Sequence, residues 1–189
     1  MESAIIVSST DKGAAFFTEM LNAASVTQIA TVQTCGEARR LVLDRDFDLV
    51  IVNAPLRDEF GEGFSRQIAA NGAQQVILVA KSELYDAVSA ACEEDGVLTI
   101  SKPVNRALFW ATLKLAASTL SRIRRVHAEN SRLRQKIEDI RIVDRAKCLL
   151  ISYHGMNEQE AHRCIEKQAM DMRTTRRAIA EGIIKTYEY

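Results

Sequence analysis

Along the first hundred residues, short apolar runs alternate with stretches of helical spacing. Residues 4–8 (AIIVS), 27–32, 49–52 (LVIV), 76–80 (VILVA) and 97–100 read as five strands. The third and fourth are apolar at every position, as expected of strands covered on both faces. Between them, residues 12–24, 37–43, 64–70 and 84–92 place apolar side chains three and four apart, with Ala15, Phe16, Met20 and Leu21 in the first. This alternation predicts a parallel sheet with helices on both faces. Right-handed crossovers then put the ligand crevice at the carboxyl ends of the strands.

After Pro103 the chain contains no proline. The helical pattern from residue 104 (Leu108, Phe109, Leu113, Ala116) continues without a break to Tyr153, with Pro103 as its expected starter and His154-Gly155 as its stop. Inside it, Ile123, Val126, Asn130, Leu133, Ile137 and Ile140 recur at alternating gaps of three and four, a heptad seam. Branched residues at a, a Leu at d and one Asn at a are the pattern of a parallel two-stranded coil, so the seam predicts a homodimer. Of its g–e′ pairs, Glu129–Arg134′ attracts and Lys136–Arg141′ repels, so the N-terminal domain is expected to assist the pairing. One long amphipathic helix folded back on its own domain is the competing arrangement.

Beyond Gly155, Asn157 with Glu160 three residues later is a capping box in its Asn form. Thr174 or Thr175 can cap a last helix. The expected core of this tail is Leu149, Leu150, Ile165, Ala169, Ile179 and Ile183. Three segments follow: an α/β domain over 1–118, a coiled-coil linker helix over 119–140 and a three-helix domain over 141–189.

Composition changes this picture in one respect. The 189 residues carry 25 basic and 25 acidic side chains, yet the charge is unevenly placed. Residues 1–118 hold 10 Lys+Arg against 15 Asp+Glu, a net of −5, and residues 119–189 hold 15 against 10, a net of +5. A basic tail points to an anionic partner for the C-terminal half. The four cysteines (Cys35, Cys92, Cys148, Cys164) form no C-x-x-C pair and read as small buried hydrophobes in a reducing cytoplasm. No apolar run reaches the ~18 residues of a membrane span, and no basic leader precedes the first strand, so a cytoplasmic protein is expected. No nucleophile–base pair, metal cluster or phosphate loop is legible, so neither catalysis nor a cofactor is expected.

The five βα units, the phrase FDLVIVNAPLRDEFGEGF and the SKP after the fifth strand resemble a response-regulator receiver domain. The resemblance covers residues 1–118 and implies a receiver-like (flavodoxin-like), doubly wound, five-stranded parallel sheet. In that family an acidic pair holds Mg²⁺, an Asp accepts a phosphoryl group, a Ser/Thr senses it and a Lys neutralises charge. Here the acidic pair falls on Ser8 and Ser9, the phosphoacceptor on Asn53, the sensing hydroxyl on Ala80 and the aromatic switch on Thr99. Lys102 alone matches. Hydroxyls are poor Mg²⁺ ligands and an amide is no nucleophile at neutral pH, so the expectation is a pseudo-receiver that is not phosphorylated. Asp11, Asp58 and Glu59 are the carboxylates close enough in sequence to rebuild an acidic patch. A regulatory protein or small ligand at the emptied crevice is an expected partner.

The phrase RIVDRAKCLLISYHGMNEQEAHRCIEKQAMDMRTTRRAIAEGII resembles the ANTAR domain, an RNA-binding module of bacterial transcription antiterminators. The matching positions are Ala146-Lys147, Leu150, His154-Gly155, Glu160-Ala161, Ala169, Arg173, Arg177, Ile179-Ala180 and Ile183-Ile184, at constant spacing. Cys148 stands where Gly is common and Ile151 where Met is common. The resemblance implies an antiterminator that, as a dimer, holds tandem stem-loops of a nascent transcript and prevents the terminator from forming. Arg145, Lys147, Arg173, Arg176 and Arg177 are the candidate RNA-binding side chains, because Arg pairs with phosphate bidentately and stacks on unpaired bases. Tyr153 is either a stacking platform or a half-buried core tyrosine. Two other readings compete. One is a protein-interaction adaptor of a two-component pathway whose basic tail reads no RNA. The other is a helix-turn-helix on DNA, disfavoured because Gly155 lies between the first and second helices of the tail.

Overall fold

The structure is a computed structural model that describes residues 1–72 and 74–187. The chain divides into two units, Met1–Arg125 and Val126–Tyr189. The last two residues of the expected third segment lie outside the described residues.

In the first unit, β1 (Ser3–Ser8), β2 (Gln28–Val32), β3 (Leu49–Asn53), β4 (Gln75–Lys81) and β5 (Leu98–Lys102) alternate with α1 (Asp11–Ala23), α2 (Cys35–Asp44), α3 (Glu62–Ala70) and α4 (Ser82–Cys92), and α5 (Arg106–His154) follows β5. All pairings are parallel, in the order β2-β1-β3-β4-β5. The five expected strands and four expected helices are all present. Alternate strand residues feed two separate cores. Ile5, Val7, Val50, Val52, Val76 and Leu78 meet Cys35, Phe64, Ile68 and Val88 of α2, α3 and α4. Ala4, Ile6, Leu49, Ile51, Ile77 and Val79 meet Phe17 and Met20 of α1 and Phe109, Leu113 and Ala116 of α5. This period of two explains why β3 and β4 are apolar throughout: each side chain, up or down, enters a core. Phe17 and Phe109 close the second core with centroids 5.3 Å apart.

The order places β1 between β2 and β3, so the chain reverses winding direction after β2. The crevice at the carboxyl ends of β1 and β3 is thereby formed by the loops that follow Ser8 and Asn53. One local expectation fails. Pro103 does not start α5, which begins three residues later. Asn105 sets its first turn, its side chain accepting the Ala107 N–H at 2.7 Å.

In the second unit, the end of α5 packs with α6 (Glu158–Asp171) and α7 (Arg176–Tyr187) around Ala146, Leu150, Ala161, Ile165, Ala169, Ile179 and Ala180. Ile183 joins this core partly buried, and the expected Leu149 does not belong to it. The core runs along Ile142, Ala146 and Leu150 at i, i+4, i+8, and Leu149 stands one position round the helix. Gly155 stops α5 at φ +66° with its N–H on the Ile151 carbonyl. The Asn157–Glu160 capping box is fully formed, both bonds at 2.9 Å. Of the two candidate caps for α7, Thr175 serves, accepting the Ala178 N–H. Cys35 and Cys92 are buried as expected, but Cys148 is exposed and Cys164 half-buried. Cys148, like Leu149, lies off the stripe that packs inward. Among the described residues no helix is long and apolar enough to cross a membrane.

Candidate nucleic-acid interface

The junction of α6 and α7 is built by an unusual residue choice. Met172 closes α6, Arg173 follows at φ +49°, and the N–H groups of Arg173 and Thr174 return to the carbonyls of Met170 and Ala169. This is a Schellman motif with arginine at the left-handed position, where glycine is the usual occupant. A side chain there costs about 1–2 kcal/mol. The Arg173 side chain is exposed and has no hydrogen-bond or ion-pair partner among the described residues.

Next to this turn a cleft of about 380 Å³ opens between α5 and α7. Lys147, Arg176 and Arg177 line it, together with His162, Asp139 and Asp144. Every cation in it is held by carboxylates. Arg177 reaches Asp139 at 2.8 Å and Glu181 at 2.7 Å. Arg176 reaches Glu166 at 3.0 Å, and His162 the same carboxylate at 3.3 Å. Lys147, only 15% exposed at its side chain, lies 2.7 Å from Asp144 and 3.4 Å from Glu158. The hydrogen bond to Asp144 holds the Lys147 ammonium above its ordinary pKa, and the bond to Asp139 does the same for Arg177. Asp139 is held below the usual carboxylate range by the Gln135 amide and the Arg177 guanidinium. Any anion entering this cleft would have to take the place of those carboxylates.

Of the six candidate side chains, the cleft gathers Lys147, Arg176 and Arg177, with Arg173 on the adjoining turn and Arg145 exposed on α5. Tyr153 lies elsewhere. It is 62% exposed, which excludes the half-buried core role, and stacks on Tyr187 at 5.0 Å. His154 bonds the same Tyr187 hydroxyl at 2.5 Å. Asp139, Asp144, His162 and Thr175 are the cleft residues that sequence reasoning missed. Local spacing signals existed for three of them: Asp144 with Lys147 at i,i+3, and Asp139 with Gln135 and His162 with Glu166 at i,i+4.

The seam residues lie on an open face. Ile123 is half-buried, Asn130 exposed, and Val126, Leu133, Ile137 and Ile140 are 56%, 52%, 52% and 60% exposed. Among the described residues of the second unit, nothing covers the four exposed apolar side chains of this stripe.

At the sheet's carboxyl edge the positions of the degenerate phosphorylation site converge. Ser8 and Asn53 pair across β1 and β3, and the Asn53 amide donates to the Ser8 hydroxyl at 3.0 Å. The Lys102 ammonium donates to the Ala54 carbonyl at 2.6 Å. Ala80 is fully buried beside them, Ser9 bonds the Pro55 carbonyl from the surface, and Thr99 is spent on Ser89. The acidic patch is not rebuilt. Asp58 caps α2 through the N–H groups of Cys35 and Gly36, and Glu59 pairs with Arg39. Both carboxyls are held low, Asp58 against its partial burial by these N–H groups and Glu59 chiefly by the Arg39 guanidinium.

Comparison with known proteins follows these two halves. Residues 131–184 match the ANTAR domain model. The chain is 29% identical over 139 residues to the transcriptional regulatory protein PdtaR of Mycobacterium tuberculosis, covering 74% of this chain and 68% of that one. In structure it is similar to a two-component transcriptional regulator AraC from Clostridium phytofermentans (TM-score 0.59, 15% identity, 66% of this chain and 98% of that one). It is also similar to the signal receiver domain of an HD domain-containing protein from Pseudomonas fluorescens (TM-score 0.56, 20% identity, 69% and 93%). Those likenesses establish the fold of the first unit, and the ANTAR match begins inside the seam, so the chain joins a receiver-fold domain to a C-terminal segment that matches the ANTAR domain.

Proposed function

We propose that the protein is an RNA-binding transcription antiterminator that acts as a dimer, holds tandem stem-loops of a nascent transcript and keeps the competing terminator from forming. The observation that carries this reading is Arg173. It sits, unpartnered among the described residues, in a conformation that glycine would occupy at lower cost, beside a cleft lined by Lys147, Arg176 and Arg177. Backbone strain at an exposed cation is retained for what the side chain does, not for the fold. The ANTAR match and the relation to a transcriptional regulatory protein support the same class. Pairing through Ile123, Val126, Asn130, Leu133, Ile137 and Ile140 brings two modules onto one RNA, and each contact then raises the effective concentration for the other. With Ser8, Ser9 and Asn53 in place of carboxylates, activity does not depend on receiver phosphorylation: a small phosphodonor with Mg²⁺ leaves the mass unchanged.

One observation favours the alternative, an adaptor that binds proteins and reads no RNA: the carboxylates that clasp Lys147, Arg176 and Arg177 neutralise much of the basic surface. Binding to a two-hairpin RNA and to duplex DNA of equal charge, titrated with salt, separates the two. Any basic tail binds both at low salt by counterion release. A reader retains the hairpin RNA at physiological salt after the DNA has dissociated, and equal affinities throughout refute the proposal.

A further inference from the structure

The carboxyl edge of the sheet carries a second cleft, of about 350 Å³, whose charge is of one sign. Lys12 and Lys102 line it with Thr10, Asn53, Phe16 and Val104, and among the described residues no carboxylate does. The acidic side chains of the neighbouring loops are engaged elsewhere, Asp58 on the first turn of α2 and Glu59 on Arg39, while Asp11 is exposed and outside the lining. Lys102 donates one N–H to the Ala54 carbonyl, which leaves two for a ligand. Burial, and after it the Lys81 ammonium, push its pKa below the ordinary lysine value. An anion seated against Lys102 relieves both costs.

The rest of the cleft suits the same kind of guest. The first turn of α1 brings Thr10 and Gly13 to its wall, so the positive end of a 13-residue helix adds to the lysines. Gly13 makes this approach possible: a Cβ there would stand 2.4 Å from the Asn53 amide nitrogen and 2.8 Å from the Ser8 hydroxyl. Phe16, Pro103 and Val104 add apolar surface to the same lining.

We infer that this cleft reversibly binds a small organic anion without a divalent cation, its phosphate or carboxylate oxygens at Lys102 and Lys12 and its apolar part on Phe16 and Val104. No bond forms to the protein, since the side chain at the head of β3 is the amide of Asn53. The inference stands independently of RNA binding.

The test is calorimetric titration of the full chain, in EDTA, with phenyl phosphate, benzoate and inorganic phosphate. At least one ring-bearing anion saturates a single site per chain and binds severalfold tighter than inorganic phosphate, and the phenyl phosphate and benzoate arms decide which head group is preferred. Lys102→Met weakens binding at least tenfold, the loss of a charge-assisted hydrogen bond. Asn53→Asp places a carboxylate in the cleft and also weakens it, which keeps the test decisive if Lys102→Met fails to fold by circular dichroism. Added Mg²⁺ leaves the wild-type affinity unchanged. Absence of saturable binding, a requirement for Mg²⁺, or a loss caused by Arg177→Ala with Lys102→Met unaffected would each overturn the inference; the last would place the anion in the C-terminal cleft.

Discussion

Replacing Arg173 by glycine separates stability from function in opposite directions. At φ +49° a side chain costs about 1–2 kcal/mol relative to glycine. Glycine gives back about 0.5–1 kcal/mol of this, because its unfolded chain is freer. The Arg173 side chain makes no hydrogen bond or ion pair among the described residues whose loss would offset the gain. Arg173→Gly is therefore expected to stabilise the C-terminal domain by about 0.5–1 kcal/mol. With a urea dependence of about 1 kcal/mol per M for so small a unit, the midpoint rises by about 0.5–1 M. Arg173→Ala retains the left-handed strain and stays within about 0.5 kcal/mol of wild type, as an exposed substitution does.

Both variants lose the guanidinium. Hydrogen bonds to charged groups contribute about 1.5–3 kcal/mol, so each module should bind its stem-loop about tenfold to a hundredfold more weakly. Urea melts followed by helical circular dichroism, with filter binding to a two-hairpin RNA, measure the two effects on the same samples. A glycine variant that is more stable and still binds RNA as wild type refutes the role given to Arg173. A glycine variant no more stable than the alanine variant refutes the strain argument, whatever happens to the RNA.

Three further outcomes follow from the same structure. Gly155→Ala meets no atom within 4 Å of the added Cβ, yet at φ +66° it should destabilise the C-terminal domain by about 1–2 kcal/mol in the same melts, from backbone conformation alone. If the chain pairs through the seam as proposed, Ile137→Asp, at a half-exposed seam position, should leave a monomer in sedimentation with its helix content unchanged; an unaltered sedimentation coefficient would remove the seam from the interface. Asp48 is buried, which raises its pKa, but the N–H groups of Glu2 and Ser3 and the Arg124 guanidinium outweigh burial and hold it below the usual carboxylate range. A carboxyl depressed in the folded state contributes stability that is present above its unfolded pKa and is lost as pH falls through the folded one. Asp48→Asn should therefore be less stable than wild type at neutral pH and lose less on acidification below about pH 4.

The fold was legible wherever one local rule decided it. Residues 49–52 and 76–80 had no polar position, so burial on both faces followed, and the two cores on either side of β3 and β4 confirm the reason. Asn157 and Glu160 form a capping box because both partners lie within one turn. The start of α5 misled because Pro103 has the right φ for a first helical residue while Asn105 supplies the capping oxygen. The C-terminal cleft was half legible. Its cations stood out by charge, but Arg177 meets Asp139 across 38 residues, and no spacing rule connects them. Arg173 was singled out as a cation and not as a strained residue, because arginine gives no warning of a left-handed backbone where glycine would.

The two clefts differ in a way that determines which anion each can hold. In the C-terminal cleft Lys147, Arg176 and Arg177 already carry carboxylate partners, so a single small anion exchanges one oxygen ligand for another and gains little. A stem-loop presents several phosphates on one backbone. After the first exchange the remaining ones act at high effective concentration, so only a polyanion displaces all the internal carboxylates. Under the proposed function, Arg173, which has no carboxylate to release among the described residues, would be the first contact. In the N-terminal cleft Lys102 and Lys12 meet no lining carboxylate among the described residues, so under the inference above one small anion suffices, and a cleft of about 350 Å³ excludes a nucleic-acid helix. Inorganic phosphate at millimolar concentration should therefore be read by Lys102 long before it competes with RNA at Arg177, and competition at equal concentrations would show that the internal carboxylates do not screen the C-terminal site.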